Sequence, residues 1–315
     1  VVSIATWNVQ NLFPPGGDGP KTPEDYATKV AGLAATIRDA GVDVVAVQEV
    51  GAPEPFEDLR VALGPEWTGI LSTQPDARRG IRVGVLSRLP AVRLSDDVRL
   101  RAGLPPLYTD DSRNIATRLG RGALSVEVTT ASGAKLAVLT VHLKSKLVTY
   151  PGGRFDTNDE AERARFAAYA LFQRASEAVT VRGLADRLLA GMGQQRAVVL
   201  LGDLNDEPQA ATTQLLLGPT GSEFGTAAAD RPDKGDGYRL FNPYPLIPER
   251  DRYSRVFGER LELIDHLLVS HALKEAVTAM RTVKGAPLPS MGTTPTTTVG
   301  KPYSDHAMVV GTFDV

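Results

Sequence analysis

The chain has 315 residues, 42% of them apolar, and a formal net charge of −2, which suits one α/β domain over residues 1–315 with a sizeable core. It contains no cysteine, which excludes a disulfide scaffold, a thiolate metal site and a cysteine nucleophile. The near-neutral charge excludes a basic surface over the whole molecule, though not a local basic groove, and no run reaches the roughly 20 apolar residues of a membrane helix.

"VVSIATWNV" (1–9) reads as a strand. It lacks a charged segment followed by an apolar one, so no secretory signal is expected there; Val1 is expected to follow a removed Met or leader, and the expected compartment is the cytoplasm. Residues 23–40 show helical apolar spacing, with Thr22 as N-cap, Pro23 at the first helical position and Gly41 as the stop. "VDVVAVQEV" (42–50) is a second strand and completes a β-α-β unit. A short helix at 55–64 and a strand at 80–90 follow, and 123–145 reads as two strands around a Ser-Gly turn. Residues 158–191 carry a long helical pattern. "RAVVLLGDLN" (196–205) is a strand and "QAATTQLLLG" (209–218) a helix. An irregular segment spans 219–260, "RLELIDHLLVS" (260–270) is a strand, 285–304 is a Pro/Thr/Gly loop, and "DHAMVVGTFDV" (305–315) is the last strand. Two β-rich layers flanked by helices are the natural reading.

Five apolar strands end in a polar side chain: Asn8, Glu49, His142, Asp203 and Asp265. In open α/β sheets ligands bind beyond one end of the strands, so these five are candidates for a common pocket. Strand period places Asn205 on the same side as Asp203, and Lys144 with His142. His306, one of four histidines, directly follows Asp305. Each residue alone has a plain reading: a turn former at Asn8, a solvated strand end at Glu49, an Asx turn at Asp203 and Asn205. His266 falls on the opposite face from Asp265 and reads as a satisfied core or surface histidine; Trp7, opposite Asn8, reads as core.

The segments "TWNVQNL", "VVAVQEV", "TVHLKS", "LLGDLND", "LIDHLLVS" and "SDHAMVV" occur in the order found in the endonuclease/exonuclease/phosphatase superfamily, and the chain resembles it from Asn8 to His306. The segment 252–270 is most similar to bacterial nuclease-type members. The resemblance implies a four-layer α/β sandwich, two packed mixed β-sheets flanked by helices, with an active site at one rim. It implies a divalent-metal-dependent phosphodiester hydrolase, a nuclease on DNA or RNA, with a small or lipid phosphoester as the alternative substrate. Mg²⁺ or Mn²⁺ is the implied cofactor, since carboxylates suit a hard cation. Glu49 is the implied metal ligand, with Asn8 on metal or phosphate and Asp305 at a second metal. Asp203 and Asn205 would flank the scissile phosphate, and Asp265 would orient His306; the water's base is Asp203 or His306. His142 would be a general acid for the leaving oxygen, and Lys144 would offer charge to the phosphate.

Arg154, in the loop after the His142 strand, and Arg113, in "DSRNIATR", are further candidates for phosphate contact. Where some members of the superfamily carry an acid two residues after the asparagine, this chain has Gln10. No protein partner is implied. A non-catalytic binding protein on the same fold is disfavoured by the intact set Asn8, Glu49, Asp203, Asn205, Asp265 and His306.

Overall fold

The computed structural model describes residues 1–101, 103–154, 156–218, 221–226, 229, 235–292 and 301–315. In chain order the first strands are β1 (Val2–Leu12), β2 (Val44–Val50), β3 (Thr68–Leu71), β4 (Arg82–Ser87) and β5 (Ala91–Arg99). A two-residue pair, β6 (Leu107–Tyr108) and β7 (Ile115–Ala116), precedes β8 (Arg118–Thr129), β9 (Lys135–His142), β10 (Ala197–Asp203) and β11 (Leu240–Phe241). The last are β12 (Arg255–Phe257), β13 (Arg260–Glu262), β14 (Asp265–Ser270), β15 (Val277–Val283), β16 (Ser290–Met291) and β17 (Met308–Phe313). The helices are α1 (Pro23–Ala40), α2 (Pro53–Leu63), α3 (Glu160–Leu189) and α4 (Ala211–Gln214).

Two six-stranded mixed sheets carry the fold, in the orders β15-β17-β1-β2-β4-β3 and β11-β14-β10-β9-β8-β5. Their inner faces pack together through alternate residues, among them Val2 and Ile4 from one sheet and Val199, Leu201, Leu267 and Val269 from the other. α1 and α2 cover the outside of the first sheet and α3 the outside of the second. The expected four-layer sandwich is therefore observed.

The topology itself makes a polar rim. β1 runs parallel to β2, and β9 parallel to β10, so the C-terminal ends of all four meet one edge of the sandwich. β17 is antiparallel to β1 and β14 antiparallel to β10, so their N-terminal ends meet the same edge. Asn8, Glu49, His142, Asp203, Asp265 and His306 all lie at one of these ends.

Local signals place α1 as expected: the Thr22 hydroxyl accepts from the Asp25 N–H, and Gly41 closes the helix at φ +64. Several boundaries differ. The strand expected at 260–270 is two strands in different sheets, β13 and β14, separated by Leu263 and Ile264. The helix expected at 209–218 is one turn, α4. β9 stops at His142 and β10 at Asp203, so strand period does not carry over to Lys144 or Asn205. The expected loop at 285–304 lies outside the described residues over 293–300, as do parts of the irregular segment between 219 and 234.

Candidate active site

Different backbone devices bring the side chains to the rim. On β1 the alternation that buries Val2 and Ile4 between the sheets also turns Thr6 and Asn8 inward. On β2 the same alternation buries Val44 and Ala46 and turns Gln48 inward, which would leave Glu49 facing the helices. The β1–β2 and β2–β4 ladders both shift register here, and Glu49 adopts φ +66. This left-handed residue re-aims the carboxylate. Its Oε1 accepts from Asn8 Nδ2 at 3.3 Å and its Oε2 from the Asn11 N–H at 2.9 Å.

Asn8 Nδ2 also donates to Asp203 Oδ2 at 3.0 Å, joining the two sheets across the rim. Asp203 Oδ2 lies 3.4 Å from His142 Nε2. Asp203 Oδ1 accepts from the Asn205 N–H at 2.9 Å, an Asx turn with Asn205 at φ +55. The Asn205 amide donates to the Leu143 carbonyl at 2.9 Å. The turn and the site are thus the same structure, and the plain reading of these two residues is compatible with the chemical one.

His306 is held on three sides. Its N–H donates to Ser304 Oγ at 3.0 Å, its carbonyl accepts from Trp7 Nε1 at 2.8 Å, and its Nδ1–H donates to Asp265 Oδ2 at 2.7 Å. Ser304 Oγ in turn donates to the Asn8 carbonyl at 2.6 Å. Beneath the rim, Gln48 Nε2 donates to Thr6 Oγ1 at 3.1 Å and Thr140 Oγ1 at 3.3 Å, a polar bridge between the sheets.

The electrostatics divide the site. Burial and the Asp265 charge push the Asp203 carboxyl up to about 7, against the pull of His306 and Asn8. Burial lowers His306, but Asp265, Asp305 and Asp203 outweigh it and raise the imidazole to about 10. His142 is pushed well below the ordinary histidine value by burial, then by Arg121, His306, Arg79 and Lys144. Asp305, also buried, is raised by desolvation.

Three expected substrate residues are not drawn into this cluster by any described contact. Lys144 Nζ folds back onto the carbonyls of Ser145 at 3.0 Å and Leu147 at 2.9 Å. Arg154 pairs with Glu162 at 2.8 Å and stacks on Tyr150. Arg113 is exposed at a loop tip with φ +59, and no described contact engages its side chain. His266 is a core histidine, with Nε2 2.8 Å from the Asp206 carbonyl oxygen and Nδ1 buried with no hydrogen-bond partner among the described residues.

The sequence reading missed residues that act on the site from neighbouring elements. Arg121 donates to the Leu143 carbonyl at 2.8 Å. Arg79 pairs with Asp18 at 3.1 Å and donates to Asn11 Oδ1. Lys29, on α1, is fully buried; a lysine on the otherwise apolar face of a helix was the signal available for it.

The family model described as the Endonuclease/Exonuclease/phosphatase family matches residues 5–306. The chain belongs to the Endonuclease/Exonuclease/phosphatase family. Members of this family are hydrolases that act on phosphoesters, typically with a divalent metal. Among solved structures, a humanised D. rerio TDP2 with 14 mutations is 18% identical, with TM-score 0.58, covering 100% of this chain and 99% of that one. A mannosyl-6-phosphatase from Bacteroides thetaiotaomicron is 14% identical, with TM-score 0.59 and full coverage of both chains. An endonuclease/exonuclease/phosphatase family protein from the same organism is 15% identical, with TM-score 0.56 and coverage of 100% and 95%. At these identities the likeness shows the fold. No curated protein matches the chain by sequence.

The residues present fit a divalent metal. The carboxylates of Glu49 and Asp203 both accept from the Asn8 amide, and single atoms of Asp203, Asp265 and His306 lie within 4.8 Å of one another; a protonated His306 offers no lone pair, so the carboxylates are the candidate ligands. Asp265 Oδ1 is buried with no hydrogen-bond partner among the described residues, an acceptor left for a cation or a water. Carboxylate and amide oxygens are the donors that hard cations take.

Proposed function

We propose that this protein is a divalent-metal-dependent phosphodiester hydrolase, a nuclease acting on DNA or RNA. The observation that carries the reading is the buried Asp265–His306 pair, with Nδ1 and Oδ2 2.7 Å apart, set beside Asp203 on a rim shared with Asn8 and Glu49. A phosphodiester in this site meets a cationic imidazole on one side and an acceptor for the attacking water on the other.

With His306 held protonated, Asp203 is the better base. Its raised value lies near neutrality, where a carboxylate can take a proton from water. His306 donates through Nε2 to the phosphoryl oxygens and stabilises the charge that builds on them. Asn205, its amide fixed by the Leu143 carbonyl, lines the same turn. His142 is neutral at rest; it becomes able to protonate a leaving oxygen when the negative phosphate arrives and raises its affinity for a proton. Glu49, Asn8 and Asp305 would hold the metal, and Mg²⁺ or Mn²⁺ suits them; bound there, it supplies Lewis-acid charge to the phosphate.

A polymer is favoured by a row of cations on the His142 side. Arg121, Arg79 and Lys144 act on His142, and Arg78 on Lys144. Arg78 is exposed, and no described contact engages its side chain. Such a row can hold phosphates beyond the one being cut. A small or lipid phosphoester is the second reading, because Arg154 is paired with Glu162 and Arg79 with Asp18, which leaves fewer free cations beyond the site.

The test is a gel assay on supercoiled plasmid, linear DNA and RNA with Mg²⁺ or Mn²⁺, wild type beside His306→Ala. Cutting by wild type alone supports a nuclease, and loss of cutting with a chelator supports the metal. If no nucleic acid is cut and a sugar or lipid phosphoester is hydrolysed instead, the second reading replaces the first.

A further inference from the structure

Lys29 is the one fully buried lysine among the described residues. It sits on the face of α1 that meets the rim. Three residues along, Gly32 touches the segment leading into Ser304, Asp305 and His306 so closely that a Cβ on it would lie 2.0 Å from the Pro302 carbonyl oxygen. One turn further, Thr36 packs on Gly285, whose added Cβ would lie 2.5 Å from Thr36 Oγ1. α1 is thereby pinned over the back of the site, with Lys29 at its rim end.

The Lys29 ammonium makes no hydrogen bond to any described residue. A buried, unsolvated ammonium is strongly unfavourable unless opposite charge stands close to it. Burial lowers the ammonium to about 8 against the pull of Asp305 and Glu49, two of the carboxylates assigned above to metal, so it is still mainly charged at pH 7. A long, flexible side chain that could snorkel to water is instead kept inside the protein. On the same rim Gln10 stands where some relatives carry an acid, so the Glu49–Asp305 corner holds few carboxylates and one fixed cation.

We propose that Lys29 is a built-in counter-charge at the Glu49–Asp305 corner, which limits the site to one divalent ion and sets how tightly that ion is held. The inference rests on the metal-site reading above, but not on which phosphoester is cleaved. A fixed positive charge beside two carboxylates cancels part of the field that would draw a second dication.

The experiment is titration calorimetry of Mn²⁺ into the full chain without substrate, comparing wild type with Lys29→Met, which keeps the length and removes the charge. The expected result is one equivalent bound by wild type, and in K29M either affinity tighter by about tenfold or more or a second equivalent. Unchanged affinity and stoichiometry would overturn the proposal. So would weaker binding in K29M, which would make Lys29 a prop for the carboxylates. Folding is checked by circular dichroism. If K29M does not fold, the K29M/D305N pair is compared with D305N under the same criteria, because the field at Glu49 remains. Absence of any Mn²⁺ binding in wild type would instead refute the metal-site reading itself.

Discussion

His142 and His306 are both buried, both end or precede a strand at the same rim, and are driven in opposite directions. His306 touches Asp265 at 2.7 Å and feels Asp305 and Asp203, which hold it cationic. His142 faces Arg121, Arg79 and Lys144, and its Nδ1 finds no hydrogen-bond partner among the described residues, so burial and cations keep it neutral. Burial alone would have treated them alike. The neighbours supplied by other strands decide which is a charged stabiliser and which a resting neutral group.

The largest expected effects break the cationic half. His306→Ala and Asp203→Ala should each lower turnover by about a thousandfold or more with folding intact, read as kcat on the substrate that wild type cleaves. His142→Ala should cost less, about tenfold to a hundredfold, and act on kcat; an equal or larger loss would show His142 to be the primary proton carrier. A middle-sized effect falls on stability. The buried Arg174–Asp206 pair, 2.7 Å apart, ties α3 to the loop after Asp203. Arg174→Ala should therefore destabilise by about 3 kcal/mol, measured by urea unfolding.

A subtler test sharpens the contrast through pH. His306 is raised from 6.5 to about 10 in the fold, so its stabilising contribution is complete below 6.5 and is lost as pH climbs to about 10. Chelator-treated wild type should lose Tm across that window, and Asp265→Asn should flatten the loss; parallel curves for the two proteins would deny the ion pair its role. The smallest effect is expected at Arg154→Ala, within about twofold in KM, because that guanidinium is already committed to Glu162. A larger change would bring the loop at 150–154 into substrate binding.

Much of this architecture is legible in the sequence. The β-α-β start, the caps of α1 and the polar strand ends follow from local chemistry, and the order of six motifs carried the family. Asn8, Asp203 and Asp265 obey simple alternation. Glu49 does not: period two places it towards the helices, and only the register shift with φ +66 returns it to the rim. Asn205 also departs, since a turn rather than a strand positions it. Lys29, Arg79 and Arg121 were missed because their relation to the site is made by packing between distant elements, which no local pattern encodes. Lys144 is expected beside His142 on strand period and Arg154 in the loop that follows, but Lys144 Nζ bonds carbonyls of its own loop and Arg154 pairs with Glu162 on α3.

The left-handed backbone at Glu49 has a consequence for any attempt to improve the protein. A non-glycine residue at that φ is strained by about 1 kcal/mol, and glycine would relieve it. Screens that reward only thermal endurance or soluble yield would thus favour the substitution that deletes this carboxylate. Selection for robustness and selection for chemistry pull residue 49 apart, and a library sorted on one alone would drift towards a sturdier, emptied scaffold.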